Sequence, residues 1–563
     1  CTLRMQDRND EAFEQFYKAA WNAAWQDAGY LSLAQIATAQ GKFEEALELV
    51  EKSLIRNWHN HKTRHLKTAI LRMLGKDQEA LQMAGQSLDI DQFNIGCLYE
   101  KHLLLKEKNP AESKTALAEM KRIMHGNVHN YIEYALDYAY AGLWEEASLL
   151  LKESFENENE VYPMVYYFLG YFANKAGKTT EAVSLYQKAS VMKPDFCFPN
   201  RIEEVVVLKN AMELNPSDAK APYYLGNFWY HNRQYNDAVQ CWEKSASLDP
   251  SFPTVMRNLA LAYYNKLNQP EKALTLLEKA FALDTSDARI LMELDQLYKK
   301  LGRPFSERLQ LLEKYPHLVE LRDDLYLERI TLYNQLGQFN KAKELITKRK
   351  FHPWEGGEGK VTGQYLLCHT ELAKAALSEG NYDYALELLN ATDAYPENLG
   401  EGKLYGTQEN DINYFKGCAY EKLGDKKKAV EYFEKASKGL DEPTQAFFYN
   451  DQQPDKIFYQ GLAWRKLGNE DKARSRFNKL IAFGEKHLFD KIKIDYFAVS
   501  LPDLLIWDDN LDRRNRIHCN YLMGLGYLGL ENKAEALSSL QKTCSMDINH
   551  IGAQIHLKMA QNL

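Results

Sequence analysis

Two short glycine-rich segments are where this chain could do chemistry: Gly357-Glu358-Gly359-Lys360 and Gly400-Glu401-Gly402-Lys403. A Gly-Lys pair can cradle a phosphate, but that chemistry needs Gly-x-x-x-x-Gly-Lys followed by Ser or Thr. Here Val361 and Leu404 follow, so nucleotide binding of that kind is set aside. Trp354 and Glu355 precede the first segment. A tryptophan face with carboxylates and ammonium groups suits a peptide or a sugar, and clustered glycines let a backbone approach closely. The plain alternative is a glycine turn closing a helical hairpin. The candidate residues here are Trp354, Glu355, Glu358, Lys360, Glu401 and Lys403.

A second cluster runs from Asp495 through Asp503 to Trp507-Asp508-Asp509 and on to His518-Cys519. Carboxylates near a histidine can hold a metal or move protons. Yet Asp508 and Asp509 are adjacent and need not face one site, and Asn510 after them is placed to cap a helix. No His-Glu-x-x-His ligand pattern exists. The sequence therefore predicts no metal, no cofactor and no catalytic residue, and keeps only Asp503 of this cluster as a binding candidate.

These residues must be positioned by a repeating element. Gly41-Lys-Phe-Glu-Glu-Ala46 recurs as Gly75-Lys-Asp-Gln-Glu-Ala80, 34 residues on, and Ala12 lies 34 residues before. Later counterparts are Ala147, Ala182, Ala238, Ala273, Ala342, Ala385, Ala429, Ala473 and Ala536. The fullest unit has Tyr166, Leu169, Gly170, Gly177, Ala182, Tyr186, Ala189 and Pro194. Small residues let two antiparallel helices cross closely, and large ones fill the gaps. Pro194, Pro216 and Pro250 stop second helices, because proline cannot extend the hydrogen-bond ladder. One such hairpin cannot bury its own apolar face, so neighbours must stack.

By this register the inner side of the first helices carries Tyr167, Tyr171, Tyr223, Asn227, Asn258 and Asn265, among others. The first four are binding candidates. Ordinary packing between repeats is the competing reading.

The repeats resemble the tetratricopeptide family across nearly the whole chain. The resemblance implies an all-α fold: a right-handed α-α superhelix of about 13–15 antiparallel helical hairpins, some degenerate. Near-34-residue repeats fill 1–350, opening inside a repeat, which reads as a fragment. Longer repeats with loop inserts fill 351–563, where successive alanines lie 43, 44 and 44 residues apart. Lys360 follows Ala342 at the same interval as Lys403 follows Ala385, so the two glycine loops are expected side by side on one edge. Residues 108–126 and 303–316 are weak repeats, and Asn200 to Leu214 is an inserted helix.

Composition narrows the function. With 70 basic and 78 acidic residues the net charge is −8, and no basic stripe exists for nucleic acid. No apolar run nears the roughly 18 residues a membrane span needs. The eight cysteines include no Cys-x-x-Cys pair, which suits free thiols in a reducing compartment. The cytoplasm is the expected location, with the periplasm as the alternative.

A second resemblance rests on Ala12-Phe-Glu-Gln-Phe-Tyr-Lys-Ala-Ala-Trp21, His352-Pro-Trp-Glu-Gly-Gly-Glu-Gly-Lys360 and Asp495-Tyr-Phe-Ala-Val-Ser-Leu-Pro-Asp503. These look like the carboxyl-terminal half of a large bacterial family with a β-rich amino-terminal domain. It implies a folded β domain as a partner. Two functions follow. One is a non-catalytic scaffold that binds a protein or peptide segment, or its own β domain. The other is half of a carbohydrate-active enzyme whose site the β domain completes.

Overall fold

The computed structural model describes residues 2–157, 160–354, 356–446, 451–493 and 506–563. Among these residues every regular element is helical, with 31 α-helices and two short 3-10 turns. The expected all-α class holds. The chain divides into two compact units, Cys1–Val255 and Met256–Leu563. This division follows contacts, whereas the boundary at 350/351 marks a change in repeat length; the two describe different properties.

The local code is visible in the hairpins. Gln26–Ala39 turns at Gly41 into Phe43–Arg56, and His61–Met73 turns at Gly75 into Asp77–Ile90. Gly41 and Gly75 have φ of 74° and 70°, a left-handed turn conformation that glycine adopts without cost. The second-helix alanines from Ala12 to Ala536 are all buried, none above 4% exposed. A larger side chain at any of them would overpack the crossing by about 1–3 kcal/mol.

The first-helix glycine has a fixed counterpart on the second helix. A β-carbon on Gly170 would lie 2.5 Å from Tyr186, one on Gly226 2.4 Å from Trp242, and one on Gly417 2.6 Å from Phe433. Gly461 and Phe477, and Gly524 and Leu540, repeat the relationship at the same sequence interval. Glycine on the first helix is thus the socket for a large side chain on the second.

The weak repeats are real hairpins. Ile95–Leu105 pairs with Pro110–Met124, and Ala288–Lys300 is followed by Phe305–Lys314. Ile202–Leu214 is a single helix without a hairpin partner of its own. Pro194 and Pro250 follow second helices as expected, whereas Pro216 follows this unpaired helix. The added lengths of the later repeats lie between a second helix and the next first helix, at 349–359, 391–409 and 437–453.

Candidate functional site

The two glycine loops meet. The Phe351 amide donates to the Asn398 carbonyl at 2.7 Å. The Asn398 side chain donates to the carbonyls of Ile346 and Arg349, both at 2.8 Å. Gly400 lies so close that a β-carbon would sit 2.8 Å from the Phe351 carbonyl oxygen.

Glu401 then reaches back to the start of helix Lys360–Ser378. Its carboxylate accepts from the Gly359 amide at 3.1 Å and from the Thr362 hydroxyl at 3.3 Å. The first amides of a helix lack intrahelical acceptors, and Gly359, at φ 72°, has no side chain to supply one. Glu401 supplies it from a distant turn of the chain, the loop of the following repeat. Burial pushes its carboxyl above the usual range, while the Gly359 amide and Thr362 pull it down.

Lys403 ties down the loop that follows the second helix, Tyr382–Asn390. Its ammonium donates to the Asp393 carbonyl at 2.9 Å and pairs with Glu409 at 2.5 Å. Trp354 is half-buried against Gly357, where a β-carbon would lie 2.3 Å from the indole. Glu358 and Lys360 are exposed. Glu355 lies outside the described residues, as does Asp503. Sequence spacing puts the loops together correctly, but does not reveal that Glu401 caps a helix and Lys403 fastens a loop.

The register positions of the first unit are engaged in packing. Tyr167 is fully buried and donates to Asp218 at 2.8 Å. Tyr223, 6% exposed, lies 4.9 Å from the ring of Phe252. Asn227 accepts from the Trp242 indole at 3.1 Å. Tyr171, half-buried, meets Trp144 edge-on, with the Lys175 ammonium 5.6 Å from its ring centre.

The aromatic-acidic cluster is also placed in part. Trp507 is 1% exposed and donates to the Glu293 carbonyl at 3.0 Å. Asp508 pairs with Lys266 and Asp509 with Lys300, at 2.9 and 3.1 Å. Asn510 caps helix Leu511–Gly529 through the Arg513 amide at 3.0 Å. The His518 ring nitrogen Nε2 lies 2.7 Å from the Thr444 carbonyl, and burial lowers its pKa to about 4.

Among the described residues no group of three or more His, Cys, Asp or Glu side chains is placed to hold a metal ion. Burial pushes the Cys197, Cys368 and Cys519 thiols up to about 12, so these sulfurs stay protonated and poorly nucleophilic at neutral pH. No described helix is long and apolar enough to cross a membrane.

Residues 411–438 and 457–482 each match a family described as Tetratricopeptide repeat. The chain carries tetratricopeptide repeats. They fall on the helix pairs Asn410–Lys422 with Lys426–Ala436 and Pro454–Lys466 with Glu470–His487, where the Gly417–Phe433 and Gly461–Phe477 contacts stand. Among curated proteins, the chain is similar to N-alpha-acetyltransferase 16, NatA auxiliary subunit, of Mus musculus, 23% identical over 71% of this chain and 44% of that protein. It is also similar to RNA polymerase II-associated protein 3 of Rattus norvegicus, 26% identical over 29% of this chain and 25% of that protein. The chain thus spans less than half the length of either relative. Among solved structures, the APC/C hetero-tetramer Cut9-Hcn1 is matched at 14% identity and a TM-score of 0.25, covering 96% of this chain and 98% of that one. PilF of Pseudomonas aeruginosa is matched at 18% identity and a TM-score of 0.24, over 39% and 89%.

Proposed function

We propose that this chain is a non-catalytic scaffold whose tetratricopeptide hairpins bind a protein or peptide segment. The observation that supports the reading is the run of helical hairpins through both units, with the same small-to-large contact recurring at Gly170 and Gly226 in the first and at Gly417, Gly461 and Gly524 in the second. Stacked repeats of this kind present long surfaces for contact with another chain.

The finer assignments rest on the sequence. A companion β domain and a bacterial source are implied only by the resemblance of three short segments. For the carbohydrate-active alternative, the geometry gives no support: Glu401 is committed to capping a helix. On the first loop, Trp354, Glu358 and Lys360 remain the residues proposed to touch a partner.

The test is direct binding. The chain and a Trp354→Ala/Lys360→Ala variant are used to capture partners by crosslinking, and each captured protein is purified and titrated against both. Saturable binding by a defined protein supports the scaffold. Weakened binding by the variant places the contact on the first loop. Cleavage of a glycan by the chain would overturn the non-catalytic reading.

A further inference from the structure

Asn265 stands at a position that the repeat register puts on the inner side of a first helix. Its side-chain amide is engaged at both ends by one distant stretch of chain. The nitrogen donates to the Ile506 carbonyl at 2.8 Å, and the oxygen accepts from the Asp508 amide at 2.8 Å. A carboxamide offers one donor group and one acceptor, the complement of a peptide backbone. The two backbone groups it binds flank a single residue, Trp507.

That residue behaves as an anchor. Its ring lies 5.2 Å from that of Tyr264 at an interplanar angle of 73°, and its indole N–H donates to the Glu293 carbonyl. Glu293 is itself immobilised, since its buried carboxylate takes two bonds of 2.6 Å from Arg257 and one of 3.0 Å from Arg289. The following carboxylates meet cations in order: Asp508 with Lys266, Asp509 with Lys300.

We infer that the face formed by Tyr264, Asn265, Lys266, Glu293 and Lys300 is a receptor for a short peptide segment carrying a tryptophan followed by two carboxylates, and that Ile506–Asp509 fills it in cis. Three kinds of recognition converge on this short segment: backbone, buried aromatic and charge. This is how peptide hot spots are built, with one aromatic in a pocket and weaker contacts around it. The charged contacts face water, with Asp508 56% and Asp509 31% exposed, so they add specificity more than hold. A partner presenting the same aromatic-acid-acid chemistry competes with the chain's own segment. This goes beyond the scaffold reading and does not depend on which protein the hairpins hold.

The experiment uses the full chain with Trp507→Ala, Asp508→Ala and Asp509→Ala together. The probe is a fluorescent peptide with the sequence of residues Ile506 to Arg513, followed by anisotropy. The triple variant is expected to bind it saturably. The unaltered chain should bind about tenfold more weakly or less, because its own segment holds the face for most of the time. Adding Asn265→Ala to the triple variant should abolish binding. The inference is overturned if the triple variant keeps its helical circular dichroism and binds no peptide, or if Asn265→Ala leaves binding unchanged. Should the triple variant fail to fold, Trp507→Leu, which keeps an apolar side chain in the pocket but loses the indole bond to the Glu293 carbonyl, is read in the same way.

Discussion

Gly461 faces the ring of Phe477 so closely that a β-carbon would sit 2.3 Å from it. Neither residue can change alone. Gly461→Ala must displace a fully buried ring and should lower the unfolding free energy by about 1–3 kcal/mol. Gly85, within helix Asp77–Ile90, has nothing within 4 Å of its β-carbon position. Gly85→Ala should therefore stabilise by about 0.5–1 kcal/mol through helix propensity. Urea unfolding of both variants measures the opposite signs.

Glu401→Ala removes the acceptor for the Gly359 amide and Thr362. Losing such a cap costs about 0.5–2 kcal/mol. The effect should be local. Hydrogen exchange at residues 359–362 should speed up, while exchange in helix Pro163–Lys175 stays unchanged.

Arg308 stands midway between Ala273 and Ala342, where the register expects an alanine. It is fully buried and holds Asp295 at 2.8 Å and Glu328 at 2.6 Å. Restoring the repeat consensus with Arg308→Ala should therefore harm the fold. It strands the buried Asp295 carboxylate and should cost about 3–5 kcal/mol. If calorimetry shows an unchanged or raised transition temperature, the network has no structural weight.

His65 and His556 are each 4% exposed, and burial lowers their pKa values to about 4. For His65, Asp137 pulls upward against that, while Lys62 and Arg72 push further down. Between the unfolded value of 6.5 and the folded value near 4, only the unfolded chain binds the proton. Stability must then fall as pH drops through this window, by about 2 kcal/mol per histidine between pH 6.5 and pH 5. Urea midpoints at pH 7, 6 and 5 test this, and His65→Gln should flatten the slope.

The hairpins could be read from the sequence because their rule is local. A glycine, a large side chain at a fixed later position and a buried alanine between them state one crossing in a single short stretch. Gly170, Ala182 and Tyr186 show all three. The Glu401 cap obeys no such rule. It depends on where a long excursion of the chain returns, which spacing alone does not encode. Trp507 is harder still, because its acceptor on Glu293 belongs to a helix many repeats earlier. Tyr167 and Tyr223 illustrate a third limit. Their register position points inward, but whether an inward tyrosine meets solvent or another ring depends on the neighbouring repeat. Here they meet Asp218 and Phe252.

The bond from Phe351 to Asn398 also has a mechanical meaning. Between them the chain runs out through helix Lys360–Ser378, back through helix Tyr382–Asn390, and returns to its starting point. Tension applied along the polypeptide would pass across that junction and bypass the hairpin enclosed by it. Such a hairpin is shielded from load until the junction breaks. It then releases its whole length at once, as a single step of slack in a chain under pull.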